Sequence, residues 1–143
     1  MTMNDAPPAP HRLGIDDVVS IFGYGSLMSL SSVLTTMASA SNFRYAYLQG
    51  YERSFSLVSV SAIKSNTCEW TTMEVAALAI RKSSNPAAIV YGCLFDIPAS
   101  ELGAYKEREH RYEVQTVSAT TLTNTTNTTT TTTTTKTTAA VAL

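Results

Sequence analysis

Charge is scarce in this chain and evenly split between the signs. Only 15% of its 143 residues are Asp, Glu, Lys or Arg, ten basic against eleven acidic, for a formal net charge of -1. A nucleic-acid surface needs a basic excess, so no nucleic-acid partner is expected. Long apolar runs are also missing. No stretch approaches the roughly 20 residues that cross a bilayer, and no membrane partner is expected. Met1 to Pro10 holds Asp5 and three prolines, with neither a basic region nor an apolar stretch, so it does not read as a secretory signal. Cysteine is limited to Cys68 and Cys93, which stand 25 positions apart outside any CxxC or Cys/His pattern. They read as reduced thiols in a cytoplasmic protein. A structural zinc needs about four ligands, and two distant thiols with His11 and His110 do not supply them, so no metal is expected.

What is present is enough for one core. The chain is 44% hydrophobic, and its length suits a single domain of the common range of about 50–250 residues. Residues 1–17 are Pro- and Ala-rich and read as a flexible lead-in. Residues 18–119 alternate apolar segments with turn signals and form the candidate domain. Residues 120–143 are nearly all threonine, with Asn124, Asn127 and Lys136, ending Ala-Ala-Val-Ala-Leu. Threonine favours strands, but the tract has few apolar residues to offset its ordering entropy, so a disordered tail is expected.

Within the middle region, Val18 to Tyr24 reads as a buried strand broken by Gly25. Leu27, Leu30, Val33, Leu34 and Met37 recur at helical spacing, with Ser26 where an N-cap belongs. Arg44 to Leu48 and Arg53 to Ile63 read as strands. So do Glu74 to Arg81 and Ala88 to Ile97, joined by a Ser-Ser-Asn-Pro turn and expected to pair antiparallel. Pro98 to Arg108 reads as a short helix and Glu113 to Val117 as a last strand. The sum is α+β: a small mixed, mostly antiparallel sheet, curled into a barrel with flanking helices.

Two segments carry candidate chemistry. Phe22-Gly23-Tyr24-Gly25-Ser26-Leu27-Met28 joins a strand to a helix. One reading is a tight turn whose glycines supply backbone angles other residues avoid. The other is an anion site, since exposed N–H groups at a helix start favour negative charge. A dinucleotide fingerprint would need a third glycine where Met28 stands, and a phosphate loop would need a lysine. Ser26 lacks the Gly-x-Ser-x-Gly elbow of a nucleophile. A small carboxylate is the simplest ligand left. The second segment, Lys106 to Glu113, alternates in sign. It reads either as a solvated, self-neutralising face or as the source of one carboxylate withdrawn from water, whose raised pKa suits general acid/base work. Glu109 falls where the helix meets the last strand. Glu107 is its rival.

Together these residues resemble the gamma-glutamylcyclotransferase-like superfamily. Tyr24-Gly25-Ser26-Leu27 matches its Tyr-Gly-Ser/Thr-Leu motif after the first strand. Gly50-Tyr51-Glu52-Arg53-Ser54-Phe55 is similar to its Gly-aromatic-x-Arg-x-Phe strand, and Tyr91-Gly92-Cys93-Leu94-Phe95 to its Gly-x-Leu/Val-Phe strand. Glu109-His110-Arg111-Tyr112 matches its Glu followed within a few residues by Tyr. The resemblance implies a small mixed β-barrel without metal or coenzyme. It also implies an enzyme of acyltransferase or lyase type that releases 5-oxoproline from gamma-glutamyl peptides or amines. Tyr24, Gly25, Ser26 and Leu27 would hold the gamma-glutamyl end, Glu109 would be the acid/base, and Tyr112 would line the pocket. Family members continue past the Glu-x-x-Tyr strand, whereas threonines follow here, so the last barrel wall is expected to be missing or replaced. A non-catalytic small-molecule binding module on the same fold is the alternative.

Overall fold

The computed structural model describes residue 14, residues 17–66, residue 71, residues 76–125 and residues 131–143. In chain order they form β1 (Val18–Gly23), a 3-10 turn (Gly25–Met28), α1 (Leu30–Leu34), β2 (Ser41–Gln49), β3 (Tyr51–Val58) and α2 (Val60–Lys64). Then come β4 (Ala76–Lys82), β5 (Ile89–Pro98), a second 3-10 turn (Ala99–Glu101), α3 (Leu102–Arg108), β6 (Val114–Thr125) and β7 (Thr131–Ala142). The fold is α+β, built on a closed mixed barrel with strand order β1-β5-β2-β6-β7. Four neighbouring pairs are antiparallel, and the parallel contact of β1 with β7, through Ile21 and Ala140, closes the ring. Strands β3 and β4 form a separate two-stranded sheet. Among the described residues no helix is long and apolar enough to cross a membrane.

Strand β5 is the hub because it is apolar on both faces, as a strand covered on both sides must be. Alternation along the strands divides the core in two. Phe22, Leu48, Val90, Leu94, Val117, Ala119, Ala139 and Val141 come from all five barrel strands and fill the interior. Ile21, Cys93, Phe95 and Ile97 point the other way and pack with Val33, Met37 and Tyr105 from the helical side. Phe43 stacks on Phe95 with ring centroids 5.9 Å apart. At Gly92 the interior is too tight for a side chain, since a Cβ there would stand 2.6 Å from the Phe22 ring. Cys93 is buried, as its apolar surroundings in the sequence suggest, and burial pushes its thiol up to about 11.

Several expectations need correction. The pattern from Leu27 to Met37 predicts one helix capped by Ser26. Instead a 3-10 turn comes first, and Ser29 caps α1 by accepting from the Ser32 N–H. The strand expected to reach Ile63 ends at Val58, and Val60–Lys64 is helical. The Ser-Ser-Asn-Pro turn does not make a hairpin. β4 pairs with β3 and β5 with β1 and β2, because both chain segments bend together at Gly50. Gly50 there has φ +80° and bonds the far turn on both sides, to the Ala88 carbonyl and from the Ser83 N–H.

The threonine tail is the largest difference. Residues 120–143 are not a disordered appendage where described: β6 runs on to Thr125, and β7 pairs along its whole length. The physical reason lies in the apolar ends of this hairpin. Val117 faces Ala139 and Val114 faces Ala142, and Ala139 and Val141 are buried in the barrel. The threonines extend a ladder that these residues anchor. Of the two expected outcomes, a missing wall or a replaced one, the described strands match the second, with β7 from the tract closing the barrel. The expected lead-in lies outside the described residues except for Gly14 and Asp17, as do Cys68, Glu74 and Asn127.

Candidate functional site

The site forms where the end of β1 meets the end of α3. Tyr24 is extended, and Gly25 then turns the chain with φ +65°, a left-handed angle that a side chain makes costly. Leu27 anchors this turn: its side chain is buried and its carbonyl accepts from the Cys93 thiol at 3.2 Å. The Tyr24 hydroxyl donates to the Ala142 carbonyl at 2.6 Å, tying the turn to the last strand.

On the opposite wall, Glu109 caps the C-terminus of α3. Its N–H donates to the Tyr105 carbonyl at 3.0 Å, and its own carbonyl accepts from the Tyr112 N–H at 2.8 Å. This one-turn link sends both side chains into the same cavity, of about 210 Å³, lined by the Tyr24–Leu27 turn, Phe22, Leu78, Glu109 and Tyr112 among others. Tyr112 is held by its hydroxyl, which donates to the Leu78 carbonyl at 3.0 Å. Tyr24, Gly25, Ser26, Leu27, Glu109 and Tyr112 thus all meet at one place. Glu107 does not: it is exposed, and its carbonyl is within 3.0 Å of His110 Nδ1.

Only 13% of the Glu109 side chain is exposed. Burial raises its pKa above the usual carboxylate range, opposed by the Arg108 guanidinium, whose Nε lies 3.3 Å from Oε1, and by His110. Burial raises the Tyr24 and Tyr112 hydroxyls as well, and the Glu109 charge adds to both shifts. Tyr105 stands behind them with a buried hydroxyl that has no hydrogen-bond partner among the described residues. A phenol that resists ionisation beside a carboxylate can donate a proton in a hydrogen bond but does not compete as a base.

Sequence reasoning missed Arg108. Its guanidinium donates to the Ser32 carbonyl at 2.7 Å, to the Ser32 hydroxyl at 2.8 Å and to Thr36 Oγ1 at 3.2 Å, with a longer contact of 3.5 Å to Ser26 Oγ. One side chain therefore joins α3, α1, the glycine turn and Glu109. The signal was the charge immediately before Glu109, hidden in an alternating run that reads as solvated. Among the described residues no three His, Cys, Asp or Glu side chains converge as metal ligands would.

No family model and no curated protein matches this chain. Solved structures do. A gamma-glutamyl cyclotransferase superposes with a TM-score of 0.64 and 19% identity, covering 89% of this chain and 66% of its own. An uncharacterized protein from Homo sapiens gives 0.61 and 21%, covering 88% and 66%. A yeast gamma-glutamyl cyclotransferase specific to glutathione gives 0.55 and 12%, covering 87% and 67%. The chain thus spans 66% of the length of the first two of these structures. At such low identity the likeness is one of architecture, and the barrel described above is the fold of the gamma-glutamyl cyclotransferases.

Proposed function

We propose that the chain is a gamma-glutamyl cyclotransferase that releases 5-oxoproline from gamma-glutamyl peptides or amines. The observation that carries this reading is the largely buried Glu109 carboxylate facing the Tyr24–Leu27 turn across one small cavity on this fold. Ligand pockets for drug-sized molecules run to about 300–1,000 Å³, so the cavity suits an amino-acid-sized head rather than a large ligand.

The reaction asks little of the protein. The substrate carries its own nucleophile, the α-amine, and its own electrophile, the γ-carbonyl carbon. Holding them together removes the entropic part of the barrier to a five-membered ring. The α-amine, with a pKa of about 8, attacks in its neutral form. Glu109 accepts one of that amine's two protons as the nitrogen–carbon bond of the ring forms. It then returns the proton to the departing nitrogen as the γ-amide bond breaks. Atoms balance without water, metal or a covalent enzyme intermediate. A raised carboxyl pKa brings Glu109 nearer to both amines and so favours each transfer. The main chain and hydroxyl groups of Tyr24 to Leu27 hold the α-amino acid end, and Tyr112 closes the wall.

Incubation with gamma-glutamyl dipeptides, gamma-glutamylamines and glutathione tests the reading. Release of 5-oxoproline, lost by at least about 100-fold in Glu109→Gln, is expected from the usual contribution of a general acid/base. Equal release by both proteins removes Glu109 from the mechanism. A binding module without turnover has one observation in its favour, the Arg108–Glu109 ion pair that engages the carboxylate. It predicts calorimetric binding of the same compounds with no product from either protein.

A further inference from the structure

A second cavity adjoins the first. It measures about 500 Å³ and shares Ala77 and Tyr112 with the Glu109 cavity. Among the described residues its charged lining is of one sign: Lys64, Arg108 and Arg111 are present beside His110, and no described Asp or Glu lines it. In a chain with a net charge of -1 and more acidic than basic residues, such a concentration does not follow from composition. Arg108 is engaged by Glu109, Ser32 and Thr36. Lys64 and Arg111 are exposed at the cavity and have no ion-pair partner among the described residues. Val58 and Val60 supply an apolar wall beside them.

We propose that this cavity holds the leaving half of the substrate and that Lys64 and Arg111 recognise a carboxylate on it, so that gamma-glutamyl peptides are preferred to gamma-glutamyl amines. The inference rests on the cyclotransfer reading and narrows its substrate class. Position supports it. With the gamma-glutamyl head against Tyr24 to Leu27, the scissile amide faces Glu109, and the chain beyond it leaves past Tyr112 into the cationic cavity. A peptide's leaving group is an amino acid whose α-carboxylate lies two bonds from the released nitrogen, close enough to follow it. A simple amine offers nothing to Lys64 or Arg111 and leaves their charge uncompensated. A cavity charged in one sense also draws anions to its mouth, an effect that salt screens.

The test compares gamma-glutamyl-alanine with gamma-glutamyl-alaninamide, which differ only in that carboxylate. For the unaltered chain, kcat/KM for the acid is expected to exceed that for the amide by about tenfold, as charge-assisted contacts provide. The ratio falls about fivefold or more in R111Q with K64Q, falls with added salt, and is retained in R111K, which keeps the charge. A ratio near one, or a ratio that the double variant leaves intact, overturns the proposal while cyclotransfer stands. Calorimetry of both compounds with Glu109→Gln protein separates the two ideas. If the unaltered chain releases no 5-oxoproline, tighter binding of the acid that disappears in the variant bearing R111Q and K64Q as well upholds the carboxylate site and refutes only the reaction. Equal binding of acid and amide refutes the site.

Discussion

As the general base proposed above, Glu109 would serve chemistry and stability in opposite directions. Burial raises its pKa, and Arg108 opposes the rise only in part. The general base must be ionised to act, so kcat/KM climbs as pH rises through the raised pKa. The midpoint of that acid limb is expected above the ordinary glutamate value of about 4.3, measured as a pH–rate profile with gamma-glutamyl-alanine. The stability sign runs the other way. A carboxyl whose pKa is higher folded than unfolded contributes stability fully present below the unfolded value and lost as pH rises through the folded one. At neutral pH the ionised group is therefore a burden. Glu109→Gln is expected to melt at or above the temperature of the unaltered chain at pH 7 while its activity is lost. Thermal scans at pH 7 beside the 5-oxoproline assay check both halves; a lower melting temperature means that the ion pair with Arg108 outweighs desolvation.

Two side chains fasten elements to one another. Asp96 on β5 accepts from Ser20 on β1 at 2.7 Å and from Asn42 on β2 at 2.7 Å, and pairs with Arg44 at 3.3 Å. Burial raises its pKa, but the Ser20, Asn42 and Arg44 contacts outweigh it, and the net shift is downward. That stability is present above the unfolded pKa and lost as pH falls through the depressed one. Asp96→Ala is expected to cost about 1–3 kcal/mol in urea unfolding at pH 7, a difference that shrinks in acid. Arg108 fastens α3 to α1. Because its charge lowers the Glu109 pKa, Arg108→Gln is expected to move the acid limb of kcat/KM to higher pH, whereas a purely structural residue would leave the limb in place. Legibility in the sequence follows the same division. Val18 to Tyr24 and the glycine turn were readable from local spacing, whereas Glu109 and Tyr112 were paired through the family resemblance. The bend at Gly50, the regrouping of β4 with β3, and Arg108 were not, because each depends on partners distant in the chain. Composition misjudged the threonine tract by averaging over it: Ala139 and Val141 anchor what the threonines alone could not.

Closure of the barrel links the tail to the site. Strand β7 lies between β6 and β1, and without it both would present open edges. The same strand delivers the Ala142 carbonyl that holds the Tyr24 hydroxyl, and Leu143 exchanges both backbone hydrogen bonds with Glu113, just before β6. Val141 is fully buried among Phe22, Leu94 and Val117, so its methyls are the lock on this wall. Val141→Ala removes two of those methyl groups and is expected to lower stability by about 1–3 kcal/mol, read from the urea midpoint. Val141→Asp places a carboxylate in the same interior without a partner and is expected to abolish the cooperative transition. The milder variant carries the functional test. If β7 loosens, Tyr24 loses its acceptor and the turn loses its fixed distance from Glu109, so KM for gamma-glutamyl-alanine rises even under conditions where the protein remains folded. An unchanged KM together with a lowered urea midpoint would show that the threonine hairpin stabilises the barrel without shaping the cavity.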